Sequence, residues 1–379
     1  MSAWQEMQIL TCNHKTRKRR LKNDKHPVTE DESCKKNLLG LVMRAKLHLI
    51  LMPKNQDLMA FASSHSQNFD HAAHCCDMFK GSWSCDRSVP QFTAIFAFGD
   101  SLSDPGNNNY LNSLAKANYV PYGSTSIKGR LADFAMAKQL WITSGERFSL
   151  SGQVENFEST LNQLRRQMGD EELSNYLAKA LAIMALGSND YINNYLSPNF
   201  YTSSYFYTPK DYADLLINRY TRQIMALHSL GFRKFLLAGI GPLGCIPNQL
   251  ATGLPPPGKC VAYTNDVVGM FNNRLVSLVD QLNSNYNGSI FAYGNTFGAV
   301  MDIINNARTY GFSVTDRGCC GIGRNRGQIT CLPFSMPCSN RNQYVFWDAF
   351  HPTQAVNQIL ARRAYSGTPS DCYPVNVQR

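Results

Sequence analysis

Only two histidines follow residue 91, His228 and His351, and they are the candidate bases of this part of the chain. A serine hydrolase needs an imidazole that takes the serine proton and then returns it to the leaving group. His228 lies within an apolar periodicity typical of a helix, so we expect it to pack or to face solvent. His351 is therefore the stronger candidate base.

A carboxylate accompanies His351, because Asp348 precedes it by three residues. In a one-turn bend, residues three apart lie on the same side, so the Asp348 side chain can reach the imidazole and fix its tautomer. A helix-capping Asp beside a structural His gives the same pattern. These residues alone favour neither interpretation.

Two short polar turns follow apolar runs and could supply the remaining groups. Ser101 ends a Gly-Asp-Ser turn, and Asn189 lies in a Gly-Ser-Asn-Asp turn. We expect a helix after Ser101, whose amino end would stabilise an oxyanion, and an asparagine amide can donate a hydrogen bond to the same oxygen. Either turn is common by itself. With Asp348 and His351 they supply a nucleophile, an oxyanion donor, a base and its orienting carboxylate, with no cofactor and no metal.

Strands alternate with helices along the chain after residue 91. This alternation predicts a mostly parallel sheet with helices on both faces, an α/β fold in which sites form at the carboxyl ends of the strands. The apolar runs predict strands at 92–98, 179–186, 235–240 and 290–293, and residues 344–347 are expected to form a short extended piece. The helical patterns predict helices at 209–230, 264–283 and 297–306, with a last helix opening at Pro352.

The first 90 residues differ from the rest and predict a weakly structured extension to a domain at 91–379. They hold half of the chain's net charge of +10. A basic run at 17–20 could contact nucleic acid, but such a run is more often a solvated tail, so we expect no nucleic-acid partner. Metal-ligand residue types cluster at 65–77 without a second, separated pair, so we expect no metal site there.

The cysteines bear on the compartment in which the chain folds. Seven of the twelve lie between Cys245 and Cys372, in a stretch rich in Gly, Pro and Asn, which favours disulfides and an oxidising compartment. Their pairing is open. The sequence has one glycosylation sequon, Asn287-Gly288-Ser289. The first residues do not form a recognisable signal peptide, and no apolar run is long enough to span a membrane.

Several ordered blocks resemble the plant GDSL esterases/lipases of the SGNH hydrolase superfamily. The blocks are Phe98–Asn108, Gly187–Tyr191, Gly241–Pro247, Gly318–Gly321 and Asp348–Thr353. The resemblance runs from about Phe92 to Pro374. It implies a three-layer α/β/α, flavodoxin-like fold, hydrolysis of lipid or small acyl esters without a cofactor, and secretion.

The resemblance also assigns roles to the candidate residues. It implies that Ser101 attacks the ester carbonyl, that His351 acts as base and then as acid, and that Asp348 orients the imidazole. It further implies that Asn189 and the backbone amide of Ser101 form part of the oxyanion hole.

One block of the family pattern is missing. The family has a strand followed by a glycine whose amide is a further oxyanion donor. Here residues 129–134 resemble the stretch before that block and residues 144–149 the stretch after it. Gly145 is a poor substitute, since no strand leads into it. We therefore expect a sheet that lacks one edge strand and an oxyanion hole that lacks one donor.

The missing block leaves alternatives to an active, secreted ester hydrolase. One is a catalytically impaired relative that binds a ligand or partner. Another is a carbohydrate O-acetyl esterase, which would share the same residues and differ in its pocket.

Overall fold

The computed structural model describes residues 91–103, 119–122, 148–197, 201–256 and 258–379. The predicted extension at 1–90, with its basic run and its metal-ligand residue types, lies outside the described residues and stays a prediction.

A five-stranded sheet forms the centre of the fold. Its four parallel strands are β1 (Ile95–Gly99), β2 (Leu181–Ala185), β3 (Lys234–Ala238) and β4 (Ile290–Gly294). A fifth strand, β7 (Cys372–Tyr373), pairs antiparallel with β4. The predicted mostly parallel sheet is confirmed. The parallel strands are nearly continuous apolar runs because both of their faces are covered.

Helices connect the strands. They are α1 (Leu150–Met168), α2 (Asp170–Ala178), α3 (Ser188–Asp190), α4 (Ser203–Phe206), α5 (Pro209–Ser229), α6 (Pro247–Ala251), α7 (Ala262–Asn285), α8 (Thr296–Asn305) and α9 (Gln354–Ser366). Local sequence sets their ends. For example, the Thr208 hydroxyl accepts a hydrogen bond from the Asp211 amide at 3.2 Å, which caps α5. Among the described residues, no helix is both long and apolar enough to cross a bilayer.

The two faces of the sheet bury separate sets of side chains, because successive residues of a strand point to opposite faces. On one face, Phe96 packs with residues of α1, α5 and α7 in the main core. On the other face, Ile95 packs with Ala364 and Tyr365 of α9. Helices therefore lie on both faces, which confirms the predicted three-layer α/β/α arrangement.

The β1 strand forms one edge of the sheet in the part of the chain that the structure describes, where it pairs only with β2. The strand order follows the chain order from β1 to β4. In a flavodoxin-like sheet the second strand lies on the other side of the first. The predicted loss of one edge strand stays a prediction, because residues 123–147 lie outside the described residues.

Several predicted boundaries were displaced. The first strand begins at Ile95 rather than at residue 92. Pro352 does not open the last helix, which begins at Gln354 after Thr353. Instead, Pro352 bridges to Phe346 at the end of β6 (Tyr344–Phe346). This strand pairs with β5 (Val314–Gly318) in a separate two-stranded sheet, so the chain from 344 to 353 folds back on itself before α9 starts.

Six of the seven cysteines after Leu243 form disulfides. The pairs are Cys245–Cys260, Cys319–Cys338 and Cys320–Cys331, and Cys372 is free and buried. The expected disulfides are confirmed, and the pairing that the sequence left open is set by the structure.

We predict that Phe232→Ala destabilises the fold. Phe232 is fully buried, and its ring lies 5.3 Å from that of Phe96 and 5.2 Å from that of Phe157. Removing it should lower the free energy of unfolding by about 3–5 kcal/mol. Phe206→Ala, at a position 77% exposed, is the matched control and should change it by less than about 0.5 kcal/mol. Urea denaturation measures both, and equal effects would contradict this assignment of the core.

Candidate active site

Ser101 lies in a tight turn directly after β1. The Ser103 amide donates to the Asp100 carbonyl at 2.9 Å, which closes the turn. A Cβ on Gly99 would lie 2.3 Å from the Ala185 carbonyl oxygen, so glycine is required before the turn. The helix expected after Ser101 falls outside the described residues.

His351 lies against Ser101. The Ser101 Oγ and the His351 Nε2 are 2.8 Å apart, although the residues are 250 positions apart in the chain. Both side chains are nearly buried, with 9% of Ser101 and 5% of His351 exposed. The other candidate base, His228, lies in the last turn of α5, where its Nε2 is 2.9 Å from the Ser289 hydroxyl. It takes no part in this cluster.

Asp348 completes a chain of three side chains. Its carboxylate oxygens lie 3.0 and 3.1 Å from the His351 Nδ1. The same carboxylate accepts hydrogen bonds from the backbone amides of Phe350 and His351, at 2.8 and 2.9 Å. Asp348 therefore contacts the imidazole and also accepts from the amides of a turn, but it does not cap a helix, because α9 begins only at Gln354.

Tyr122 is a member of the cluster that sequence reasoning missed. Its hydroxyl donates to Asp348 Oδ2 at 2.9 Å, and the side chain is 3% exposed. Burial first, and the Asp348 charge second, raise the pKa of Tyr122 well above its ordinary value, so the hydroxyl stays protonated as a donor. No pattern around Tyr122 indicates this contact, because it joins positions 226 residues apart.

The pKa values of Asp348 and His351 move in opposite directions. Burial is the largest influence on Asp348 and raises its pKa, but the imidazole and the two backbone amides together hold it below its ordinary value of 3.8. Burial likewise opposes protonation of His351, and the Asp348 carboxylate overcomes it, so the pKa of His351 lies above 6.5. The pair therefore favours an ionised carboxylate beside an imidazole that readily takes a proton.

Asp100 is a second carboxylate close to His351. Its Oδ1 accepts from the Leu102 amide at 3.1 Å, whereas its buried Oδ2 has no hydrogen-bond partner among the described residues. Burial raises the pKa of Asp100 to about 6, with the Leu102 amide and His351 acting in the opposite direction. Asp100 was not predicted from the sequence as a site residue.

Asn189 lies in α3, in the turn that follows β2. Gly187 before it has a φ of +111°, and a Cβ there would lie 2.8 Å from the Ile240 side chain, so this turn requires glycine. Asn193, in the π-helical segment Tyr191–Tyr195, donates from Nδ2 to Asn189 Oδ1 at 3.0 Å.

A cleft of about 1360 Å³, including the part open to solvent, joins these residues at the carboxyl ends of the parallel strands. Ser101, His351 and Asn189 all line it. Much of its wall is apolar, with side chains that include Leu102, Leu186, Ile192, Ile240, Leu243 and Phe350. The structure thus brings the predicted Ser101, Asn189 and His351 to one apolar cleft, with Asp348 behind the imidazole.

The described residues contain no group of side chains that could hold a metal ion. Gly129 and Gly145, which flank the predicted gap, lie outside the described residues. The structure therefore does not test the predicted loss of the glycine block.

Known proteins resemble this chain over most of its length. The GDSL-like Lipase/Acylhydrolase family matches residues 95–364. GDSL esterase/lipase At1g71250 of Arabidopsis thaliana is 50% identical over 329 residues, 76% of this chain and 88% of the relative. GDSL esterase/lipase At5g08460 of the same plant is 47% identical over 346 residues, 79% of this chain and 90% of the relative.

The lengths of these alignments bear on the missing block. The alignment with the first relative is 329 residues long, but it contains only 76% of the 379 residues of this chain, which is fewer than 329. Some aligned residues of the relative therefore have no counterpart in this chain. Such gaps agree with an internal loss. The family expected from the ordered blocks is confirmed, and the chain belongs to the GDSL-like lipase/acylhydrolase family.

Proposed function

We propose that this chain is a serine hydrolase of carboxylic esters in which Ser101 is the nucleophile, His351 the general base and acid, and Asp348 the residue that orients His351. One observation carries the proposal: the Ser101 Oγ lies 2.8 Å from the His351 Nε2, whose ring contacts Asp348 through Nδ1. Since a carboxylate only accepts, Nδ1 carries the proton and Nε2 is free to accept the serine proton.

The reaction follows from this geometry. Ser101 Oγ attacks the ester carbonyl carbon while its proton passes to His351 Nε2, and the carbonyl oxygen becomes an oxyanion. Donors at the Ser101 amide and at the Asn189 side chain stabilise that charge. The intermediate collapses, and the leaving alkoxide takes the proton from His351. Water then attacks the acyl-serine by the same route, which releases a carboxylic acid and restores Ser101.

The apolar wall of the cleft supports an acyl ester with a hydrocarbon chain as the substrate. Leu102 beside the nucleophile, and Ile192 and Ile240 further along the cleft, offer contacts that an alkyl chain would make. A carbohydrate O-acetyl group is small, and its sugar would present hydroxyls to this apolar wall. The lipid or acyl ester is therefore the better fit to the described lining.

The three disulfides support an oxidising compartment, and we place the working protein outside the cell on that ground. The names of the plant relatives say nothing about compartment, so the disulfides carry this part of the proposal.

A ligand-binding protein without catalysis is the second candidate. The predicted loss of the glycine block favours it, since removal of one oxyanion donor can lower the rate by about 10²–10³-fold. The two candidates differ in turnover, not in the cleft.

We predict that the full chain hydrolyses p-nitrophenyl esters of short and medium acyl chains and that Ser101→Ala lowers kcat by about 10⁴–10⁶-fold. The control Ser277→Ala, exposed on α7, should retain full activity. A folded wild-type chain no more active than Ser101→Ala would contradict the proposal and leave the binding protein as the better account.

We predict an acid limb in the pH profile of kcat/KM with its midpoint above pH 6.5. Only neutral His351 can take the serine proton, and the Asp348 carboxylate raises the pKa of the imidazole above 6.5, so activity is lost as the pH falls through that pKa. Asp348→Asn removes the charge, so the limb should move to lower pH while kcat falls by about 10⁴-fold. An unmoved limb would contradict the role of Asp348.

A further inference from the structure

Asn193 lies one turn after Asn189 and contacts it directly. Its Nδ2 donates to the Asn189 Oδ1 at 3.0 Å, and both side chains are half-buried and line the cleft. Residues four apart in a helix lie on the same face, which brings the two amides together.

The direction of this hydrogen bond matters, because the two ends of an amide have opposite chemistry. The oxygen only accepts, and the NH₂ group only donates. When Asn193 donates its hydrogen bond to the Asn189 oxygen, the Asn189 NH₂ group remains available to donate into the cleft. A reversed Asn189 would turn an acceptor oxygen toward the developing oxyanion and would repel it.

From this geometry we infer that Asn193 is a positioning residue that fixes the orientation of the Asn189 amide, so that its NH₂ group faces the oxyanion. This inference rests on the proposed ester hydrolysis. The Asn189 side chain and the Ser101 amide are the two oxyanion donors of the proposed mechanism, so the orientation of the Asn189 amide bears directly on the rate.

The backbone around Asn193 is held from the buried side. Tyr191 and Tyr195, which flank it in the π-helical segment, are 0% and 3% exposed. The Tyr195 ring stacks on Tyr212 with centroids 4.6 Å apart, and the Tyr212 hydroxyl donates to the Asp190 carbonyl at 3.0 Å. The segment is therefore fixed while Asn193 faces the cleft.

Two substitutions of Asn193 separate positioning from mere packing. Asn193→Ala leaves Asn189 free to rotate and should lower kcat by about tenfold. Asn193→Asp has nearly the same shape but only accepts, so it should bind the Asn189 NH₂, reverse the amide and lower kcat by about 10²-fold or more. KM should change far less than kcat in both variants, because the oxyanion forms only after the substrate has bound.

A double-mutant cycle tests whether the effect passes through Asn189. In an Asn189→Ala background, adding Asn193→Asp should cause no further loss of kcat, because no amide remains to be reversed. Asn273→Asp, exposed on α7, introduces the same charge elsewhere and should retain full activity. Melting temperatures of all variants report any loss of folding.

The outcomes are distinguishable. If the wild-type protein is active, two outcomes overturn the positioning role alone. In one, Asn193→Asp keeps the wild-type kcat. In the other, Asn193→Asp lowers kcat by the same factor in the presence of Asn189 and in the Asn189→Ala background. A folded wild-type chain without turnover overturns the proposed function and this inference with it.

A second, independent feature is the sequon Asn287-Gly288-Ser289. Asn287 and Gly288 lie in an exposed turn between α7 and β4, in which Gly288 has a φ of +81°, and Ser289 after them is half-buried. The sequon precedes the amino end of β4, whereas Gly294 at the carboxyl end of that strand lines the cleft. A large group on Asn287 would therefore lie at the end of the sheet opposite the site.

We propose that Asn287 carries an N-linked glycan. Its Nδ2 bonds to the anomeric carbon of an oligosaccharide donated by a polyprenyl diphosphate, the bond from that carbon to the diphosphate oxygen breaks, and the amide loses one proton. The three disulfides support passage through the compartment in which this reaction occurs.

Expression of the full chain in a secreting eukaryotic host tests the modification. Peptide N-glycosidase should lower the mass of the wild-type chain and of Ser289→Thr, and it should leave Asn287→Gln and Ser289→Ala unchanged. A wild-type chain without the glycan, whether secreted or retained, overturns the proposal.

Discussion

The hydrogen bond between Ser101 and His351 is the contact on which the site depends, and it joins two parts of the chain that meet only through the fold. Ser101 is held at the end of β1, and His351 lies in the fold-back between β6 and α9. Two backbone hydrogen bonds close this fold-back, from the Trp347 amide to the His351 carbonyl at 2.8 Å and from the Thr353 amide to the Val345 carbonyl at 2.9 Å. This backbone pairing holds His351 where its imidazole lies within hydrogen-bond distance of Ser101.

Burial of Asp348 is the second constraint, since a buried carboxylate is costly unless donors surround it. Two backbone amides, the imidazole and the Tyr122 hydroxyl meet that need. The cysteine-rich segment supports the same region, because the Cys320 amide donates to the Trp347 carbonyl at 2.8 Å and the Tyr119 hydroxyl donates to the Cys331 carbonyl at 2.9 Å. The Cys320–Cys331 disulfide thus lies beside the residues that enclose Asp348. This proximity indicates a structural role for the Cys320–Cys331 disulfide that the spacing of the two cysteines in the sequence does not reveal.

The central strands and the turns that carry the site residues could be predicted from the sequence, because local sequence determines them. Continuous apolar runs marked β1 to β4, and glycines marked the turns that carry Ser101 and Asn189, because those turns leave no room for a side chain. The contacts of Tyr122 with Asp348 and of Asn193 with Asn189 were not predicted, since Tyr122 is remote in sequence and Asn193 resembles any polar helix residue. The misplaced start of α9 has a similar cause. Proline is common in a first helical turn, but here Pro352 pairs with Phe346, and that tertiary contact overrides the local preference.

The central claim is that Ser101 is a nucleophile activated by His351, and covalent labelling tests it most directly. The folded full chain would be treated with a fluorophosphonate, and the modified residue would be identified by mass spectrometry of its peptides. The account predicts a single adduct on Ser101 that forms far more slowly in His351→Ala. A folded chain that stays unlabelled, or one labelled on another serine at a rate that His351→Ala does not change, would contradict it.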